Sequence, residues 1–282
     1  MKVANTIHLK YADLTLEESI NLSEKLVINP TNIRAQPGLY RARTGHKLPC
    51  MNSEIYQQLQ ETEEYARSNK MEINYKKSKL MVFNPCRSLD FQPELKLGGD
   101  QLEVVEEMRL LGVTLQSDLK WSKNTTDIVK RASNRLWIVR RLKELGAEPP
   151  ELIDMYTKQC RTILEYAVPA WQGSITMQEK QDIERVQKVA LRIIFGDQYE
   201  TYSNALKLAK LDTLETRKTN ICIKFAMVAE KHSKHKNWFK PKLKLNTRQK
   251  VDKYMKPIAR TERLRNSPIC FLTSLLNKHY IK

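Results

Sequence analysis

The residues best placed to do chemistry lie in Lys10-Tyr11-Ala12-Asp13-Leu14-Thr15. A carboxylate at the tip of a β-hairpin is well placed to hold a divalent cation. Nucleotidyl transfer commonly uses two such cations, which activate the attacking hydroxyl and neutralise the departing pyrophosphate. Metals roughly 3.5–4 Å apart need several carboxylates converging on them. Asp13 is the single candidate here, and turn chemistry alone also selects aspartate at such a place. Other constellations are weaker. His232 and His235 have a spacing that could ligate zinc from a helix, with Cys222 nearby in sequence, but their lysine-rich surroundings oppose a cation. There is no glycine-rich phosphate loop and no nucleophile elbow. Trp137 and Trp171 fall in segments that pattern as packed, which leaves Trp238, between Lys236 and Lys240, as the better base-stacking candidate.

The elements that must position these residues divide the chain by pattern. Residues 3–20 read as strand, turn near Asp13, and strand. Pro30, Pro37, Gly38, Gly45 and Pro49 mark a loop over 28–50, and a helix follows over 53–69 with Ser53 as its N-cap. Strands are predicted at Lys79–Phe83, at Leu95–Leu97 before the turn signal Gly98-Gly99-Asp100, and at Met108–Thr114. Beyond Trp121 the period becomes helical. Residues 123–145 align Ile128, Ala132, Leu136, Val139 and Leu142, with Gly146 as the stop. Pro149-Pro150 opens a helix whose face holds Tyr156, Cys160, Ile163 and Ala167. Thr176-x-x-Glu179 has the form of a capping box before Ile183, Val186, Ala190 and Ile193. Asp212-x-x-Glu215 is a second helix start, before Ile221, Phe225 and Val228.

Composition narrows the function classes. The chain has 282 residues and is 41% hydrophobic, enough to bury a core. Cys50, Cys86, Cys160, Cys222 and Cys270 are odd in number and form no C-x-x-C pair. That argues against a disulfide framework or a four-cysteine zinc site and fits a reducing compartment. The first residues do not form a secretory signal, and no run approaches a membrane span. The expected location is therefore intracellular, nuclear or cytoplasmic. Net charge is +17, and residues 231–282 supply most of it, with fifteen lysines and arginines against Asp252 and Glu262. Such an excess predicts a polyanionic partner, nucleic acid before an anionic membrane surface. The expected phosphate contacts are Lys240, Lys242, Lys244, Arg248, Lys250, Lys253, Arg260, Arg263 and Arg265, on a largely extended tail that ends in a short helix.

Longer stretches carry a resemblance. Tyr11-Ala12-Asp13-Leu14-Thr15-Leu16-Glu17-Glu18, then INYKKSKLMVF over 73–83 and MRLLGVTL over 108–115, resemble the end of a reverse-transcriptase palm. LEYAVPAW over 164–171, ERVQKVALRIIFG over 184–196 and ARTERLRNS over 259–267 resemble the thumb region of LINE-type (non-long-terminal-repeat) retrotransposon polymerases. The resemblance runs from about residue 5 to the C-terminus.

It implies an α+β fold, predominantly helical: a truncated palm remnant over 1–121, a helical thumb-like bundle over 122–230 and a basic tail over 231–282. The family's metal turn has the form Y-x-D-D. Here Asp13 matches the first carboxylate, and Leu14 stands where the second would be. The family also needs an aspartate on an earlier palm strand and a fingers domain, and the chain begins only a few residues before the turn. The resemblance therefore implies a fragment of an RNA-directed DNA polymerase that does not catalyse, needs no cofactor, and keeps nonspecific contact with RNA or DNA. Mg²⁺ serves the intact family. Lys76, Lys77 and Lys79 occupy the place of its lysine-bearing loop near the nucleotide phosphates, and Leu110-Leu111-Gly112 that of the hairpin gripping the primer end. Two alternatives stand beside this: part of an active enzyme whose fingers and upstream palm lie outside the sequence, or a helical interaction module adopted by its host.

Overall fold

The computed structural model describes residues 49–74, 77–81, 96–97, 99–233, 235–242 and 252–281. Asp13, Lys76, Lys244, Arg248 and Lys250 lie outside them, as does the expected hairpin over 3–20. The described chain is mostly helical with a few short strands. It divides into two compact units: one through Met108 with Gln116–Leu119, the other formed by Arg109–Leu115 and Lys120–Lys282.

The first unit holds α1 (Pro49–Ser68), which starts four residues ahead of the expected cap at Ser53. Its strands are two residues each. β1 (Lys79–Leu80) runs parallel to β4 (Glu103–Val104), and β2 (Lys96–Leu97) pairs antiparallel with β3 (Asp100–Gln101) around Gly99. A small apolar cluster of Leu97 and Leu102, with Leu59, Ile73 and Leu80 against it, is the unit's core.

Residues 107–116 form a hairpin, where the residue pattern alone reads a single strand: β5 (Glu107–Leu110) and β6 (Val113–Gln116) pair across Leu111-Gly112. Both turn residues have positive φ, 48° and 82°. Two-residue hairpin turns favour this geometry because it matches strand twist. Its usual sequence signal is Asn-Gly or Asp-Gly, so Leu-Gly reads as strand in the sequence.

The second unit begins its helices with α2 (Ser122–Glu144), in the place expected. Ile128, Ala132, Leu136 and Val139 are buried along it. The side-chain oxygen of Asn124 accepts from the Thr114 amide at 3.2 Å, and the Thr114 hydroxyl donates to Asp127 at 2.9 Å, which fixes β6 to the first two turns of α2. Glu148 and Glu151 make a capping box at the start of α3 (Pro149–Tyr156). A π turn over Thr157–Arg161 then leads into α4 (Thr162–Glu165). That turn corrects the expected face. Tyr156, Cys160, Leu164 and Val168 are fully buried, while Ile163 and Ala167 are only partly so. A π turn holds more residues than an α turn, so the buried spacing becomes four, four, four.

α5 (Val168–Trp171) leads to α6 (Met177–Phe195), where Thr176 and Glu179 form the expected capping box. α7 spans Tyr202–Ala209 and α8 spans Leu214–Lys231. The cap of α8 is Thr213, whose hydroxyl accepts from the Thr216 amide at 3.2 Å, and not Asp212. Its buried stripe is Leu214, Lys218, Cys222, Ala226 and Ala229, with Val228 67% exposed. Small residues there let neighbouring helices approach closely.

Residues 235–242 and 252–281, expected as tail, share the core of this unit. Phe239, Tyr254, Leu272 and Leu276 belong to the same buried cluster as Ile128 and Ile183. The chain crosses itself at an antiparallel bridge between Pro241 and Tyr254. α9 (Glu262–Arg265) and α10 (Pro268–Ile281) close the fold. Asn277 on α10 accepts from the Tyr254 amide and donates to the Tyr254 carbonyl, both at 2.9 Å. Gly173 lets α10 approach, since a Cβ there would lie 2.6 Å from the Phe271 ring and 2.7 Å from the Asn266 carbonyl. Among the described residues no helix is long and apolar enough to cross a membrane.

Candidate nucleic-acid interface

α2 carries seven basic side chains and two acidic ones, and they follow from the same periodicity that buries its apolar stripe. Lys143, in its last turn, donates to the Ile193 carbonyl of α6 at 2.6 Å. Gly196 leaves room for that amine, because a Cβ there would stand 2.7 Å from it. A lysine on the final carbonyls of a helix satisfies an orphan acceptor and complements the helix dipole. The two helices therefore lie side by side with their C-terminal ends together.

Between them runs a groove of about 450 Å³. Its floor is Val129, Leu136, Val186 and Val189, and its rim includes Lys130, Ser133, Arg140 and Arg185. Glu179 and Asp182 line the groove as well. Glu179 is spent on the capping box of α6, and Asp182 accepts from Gln178 at 3.1 Å. Lys130 and Arg140 form no ion pair among the described residues. The groove thus sets Lys130, Arg140 and Arg185 beside two carboxylates around an apolar floor, so any phosphate contact falls to the basic side chains of its rim.

The cations expected in the tail are placed unequally. Lys240, Lys242, Arg260, Arg263 and Arg265 are exposed and form no ion pair among the described residues. Lys253 is exposed but paired with groups of the protein itself. Its amine donates to Glu230 at 2.8 Å and sits 3.9 Å from the centre of the Tyr280 ring. The Tyr254 and Tyr280 hydroxyls donate to the same carboxylate. Although burial works the other way, these three donors hold Glu230 below the usual carboxylate range, and the same partnership raises Lys253. In the first unit Lys77 is exposed and Lys79 pairs with Glu103.

Trp137 and Trp238 exchange the roles expected of them, while Trp171 is packed as expected. Trp238 is half-buried, 4.3 Å from the His235 ring, and packed on the core. Trp171 is fully buried and donates to the Tyr166 carbonyl at 3.0 Å. Trp137 is 61% exposed on α2. Lys130, Arg140, Arg185 and Trp137 are thus candidate residues that sequence reasoning missed. The signal was present in the one-residue offset of Trp137 from Leu136, which turns it about 100° away from the buried stripe.

Beneath α6 lies a polar network. Gln187, fully buried, accepts from Tyr156 and donates to the Tyr202 hydroxyl and the Asp212 carbonyl, each at 3.0 Å. Tyr202 donates onward to Glu184. Lys218, 1% exposed, lies 5.4 Å from the Trp171 ring centre. Burial pulls its amine down to about 8, opposed by Glu215 and Glu184. Burial likewise pushes Cys222 up to about 12. Among the described residues no group of three or more histidines, cysteines and carboxylates could hold a metal ion. In comparisons with family models, curated proteins and solved structures, nothing matches the chain.

Proposed function

We propose that this protein derives from the C-terminal part of a LINE-type retrotransposon reverse transcriptase, lacks nucleotidyl transfer, and binds RNA or DNA through nonspecific phosphate contacts. The order of the motifs quoted above supports the descent, and Leu14 beside Asp13, in place of a second carboxylate, supports the loss of chemistry. A lone carboxylate does not hold two metals for in-line transfer.

The observation that carries the binding is the exposure of Lys240, Lys242, Arg260, Arg263 and Arg265 without ion-pair partners among the described residues. Phosphate attraction needs only positive charge at suitable density. Because α10 is part of the core, removing everything after Glu230 would test folding and not binding. The decisive comparison is full-length protein against a variant with these five changed to glutamine, titrated by fluorescence anisotropy into duplex DNA. With about six phosphate contacts the log–log salt slope is about −5, falling to about −1 in the variant. Equal affinity and equal slope for the two proteins would remove the reading.

A further inference from the structure

Trp137 leaves most of its indole in water, although tryptophan has more apolar surface to bury than any other side chain. Among the described residues no ring or cation contact covers it. Helical geometry sets what surrounds it. Lys130 is seven residues before and Arg141 four after, so all three lie within about 40° on one face of α2. Arg140, three residues on, turns toward the groove and its rim. Arg141 is paired with Glu144 at 3.0 Å, so the unpaired cations flanking the ring are Lys130 and Arg140.

An aromatic face between two cations complements a chain whose charges alternate with exposed flat rings. In a duplex the bases are already stacked on one another and offer no face. In a single strand each base has one. We infer that Trp137 is a base-stacking platform, and that the α2 face takes a single-stranded polynucleotide, with phosphates on either side of the stacked base meeting Lys130 and Arg140. The inference rests on the nucleic-acid reading above and adds to it a ligand class and the residue that selects it. Because indole stacking does not read base edges, the preference is for strandedness and not for sequence.

The test uses the full chain and two labelled probes, an oligothymidylate of about 12 nucleotides and a duplex with the same number of phosphates. Wild-type protein is expected to hold the single strand several-fold more tightly than the duplex. Trp137→Ala is expected to weaken the single strand by about tenfold and the duplex by less than about twofold. Trp137→Phe is expected to keep most of the preference, which separates stacking from disturbance of the helix. Circular dichroism of both variants should match wild type, because the ring is not part of the core. Single-strand affinity that survives Trp137→Ala would overturn the inference while the phosphate reading stands. Self-association at rising concentration that Trp137→Ala abolishes would overturn it too, by showing that a second copy of the chain covers the ring. Failure to bind either probe at low salt would remove both readings together.

Discussion

The Tyr166 hydroxyl donates a hydrogen bond to the Leu111 carbonyl across 2.7 Å, and its ring stands 3.2 Å from where a Cβ on Gly112 would be. One tyrosine therefore braces both positive-φ residues of the β5–β6 turn, in the helical unit to which all three belong. Leucine in this conformation is costly, so the brace offsets strain. Tyr166→Phe should lower stability by about 1 kcal/mol. Hydrogen exchange should speed up at the hairpin amides and not in α6. Unchanged protection at Val113 and Thr114 would show that the turn holds without the hydroxyl.

Burying Lys218 makes stability depend on alkaline pH. Its amine falls from an ordinary 10.5 to about 8 in the folded protein, so between those values the unfolded chain binds more protons. Stability then rises with pH through that window, and it is lost as pH falls through about 8. Lys218→Met should flatten the rise, so that wild type gains about 1 kcal/mol on the variant between about pH 7 and pH 9. Urea denaturation at both pH values measures this. A constant difference would mean that the lysine keeps its ordinary protonation when folded.

Gly173→Ala should loosen α10. The added methyl would meet Phe271 and the Asn266 carbonyl at under 3 Å, and neither the backbone nor the packed ring yields cheaply. A loss of about 1–3 kcal/mol is expected. Cys270, buried near the start of α10, reports on it directly. Its thiol should react faster with an aromatic disulfide in the variant, and an unchanged rate would place the clash elsewhere.

Primed template, deoxynucleotides and Mg²⁺ or Mn²⁺ should give no extension above a buffer control. Template-dependent synthesis abolished by Asp13→Ala would overturn this, since it would show that one carboxylate at the turn suffices.

The helical half was legible because its signals are local. Alternation of apolar residues at three and four gave α2, and Thr176 with Glu179 gave the start of α6. What escaped depends on contacts between distant residues. The π turn at Thr157–Arg161 accompanies burial of Leu164 rather than Ile163, a choice between i+7 and i+8 that helical spacing alone leaves open. On α8 residue size misled in part: Phe225 packs against the core as expected, Val228 is exposed, and the buried positions go to Cys222, Ala226 and Ala229. The site was legible as charge and not as placement. Lys253 has the composition of a phosphate contact, and only Glu230, Tyr254 and Tyr280 folding around it reveal that its charge is used within the protein. Trp137 lies in a segment that patterns as packed, yet its angle on the helix decides its exposure.

Asn277 grips the amide and the carbonyl of a single residue, Tyr254. Moving α10 away from Tyr254 breaks both bonds at once. Tyr254 carries the hydroxyl on Glu230 and sits at the bridge with Pro241, so its release frees Lys253 in the same event. The last stretch of chain should thus open as one cooperative piece, at a free energy below global unfolding. In that open form the exposed Lys253 loses its ion pair with Glu230 and becomes one more free cation, and a polyanion that engages it would hold the piece open.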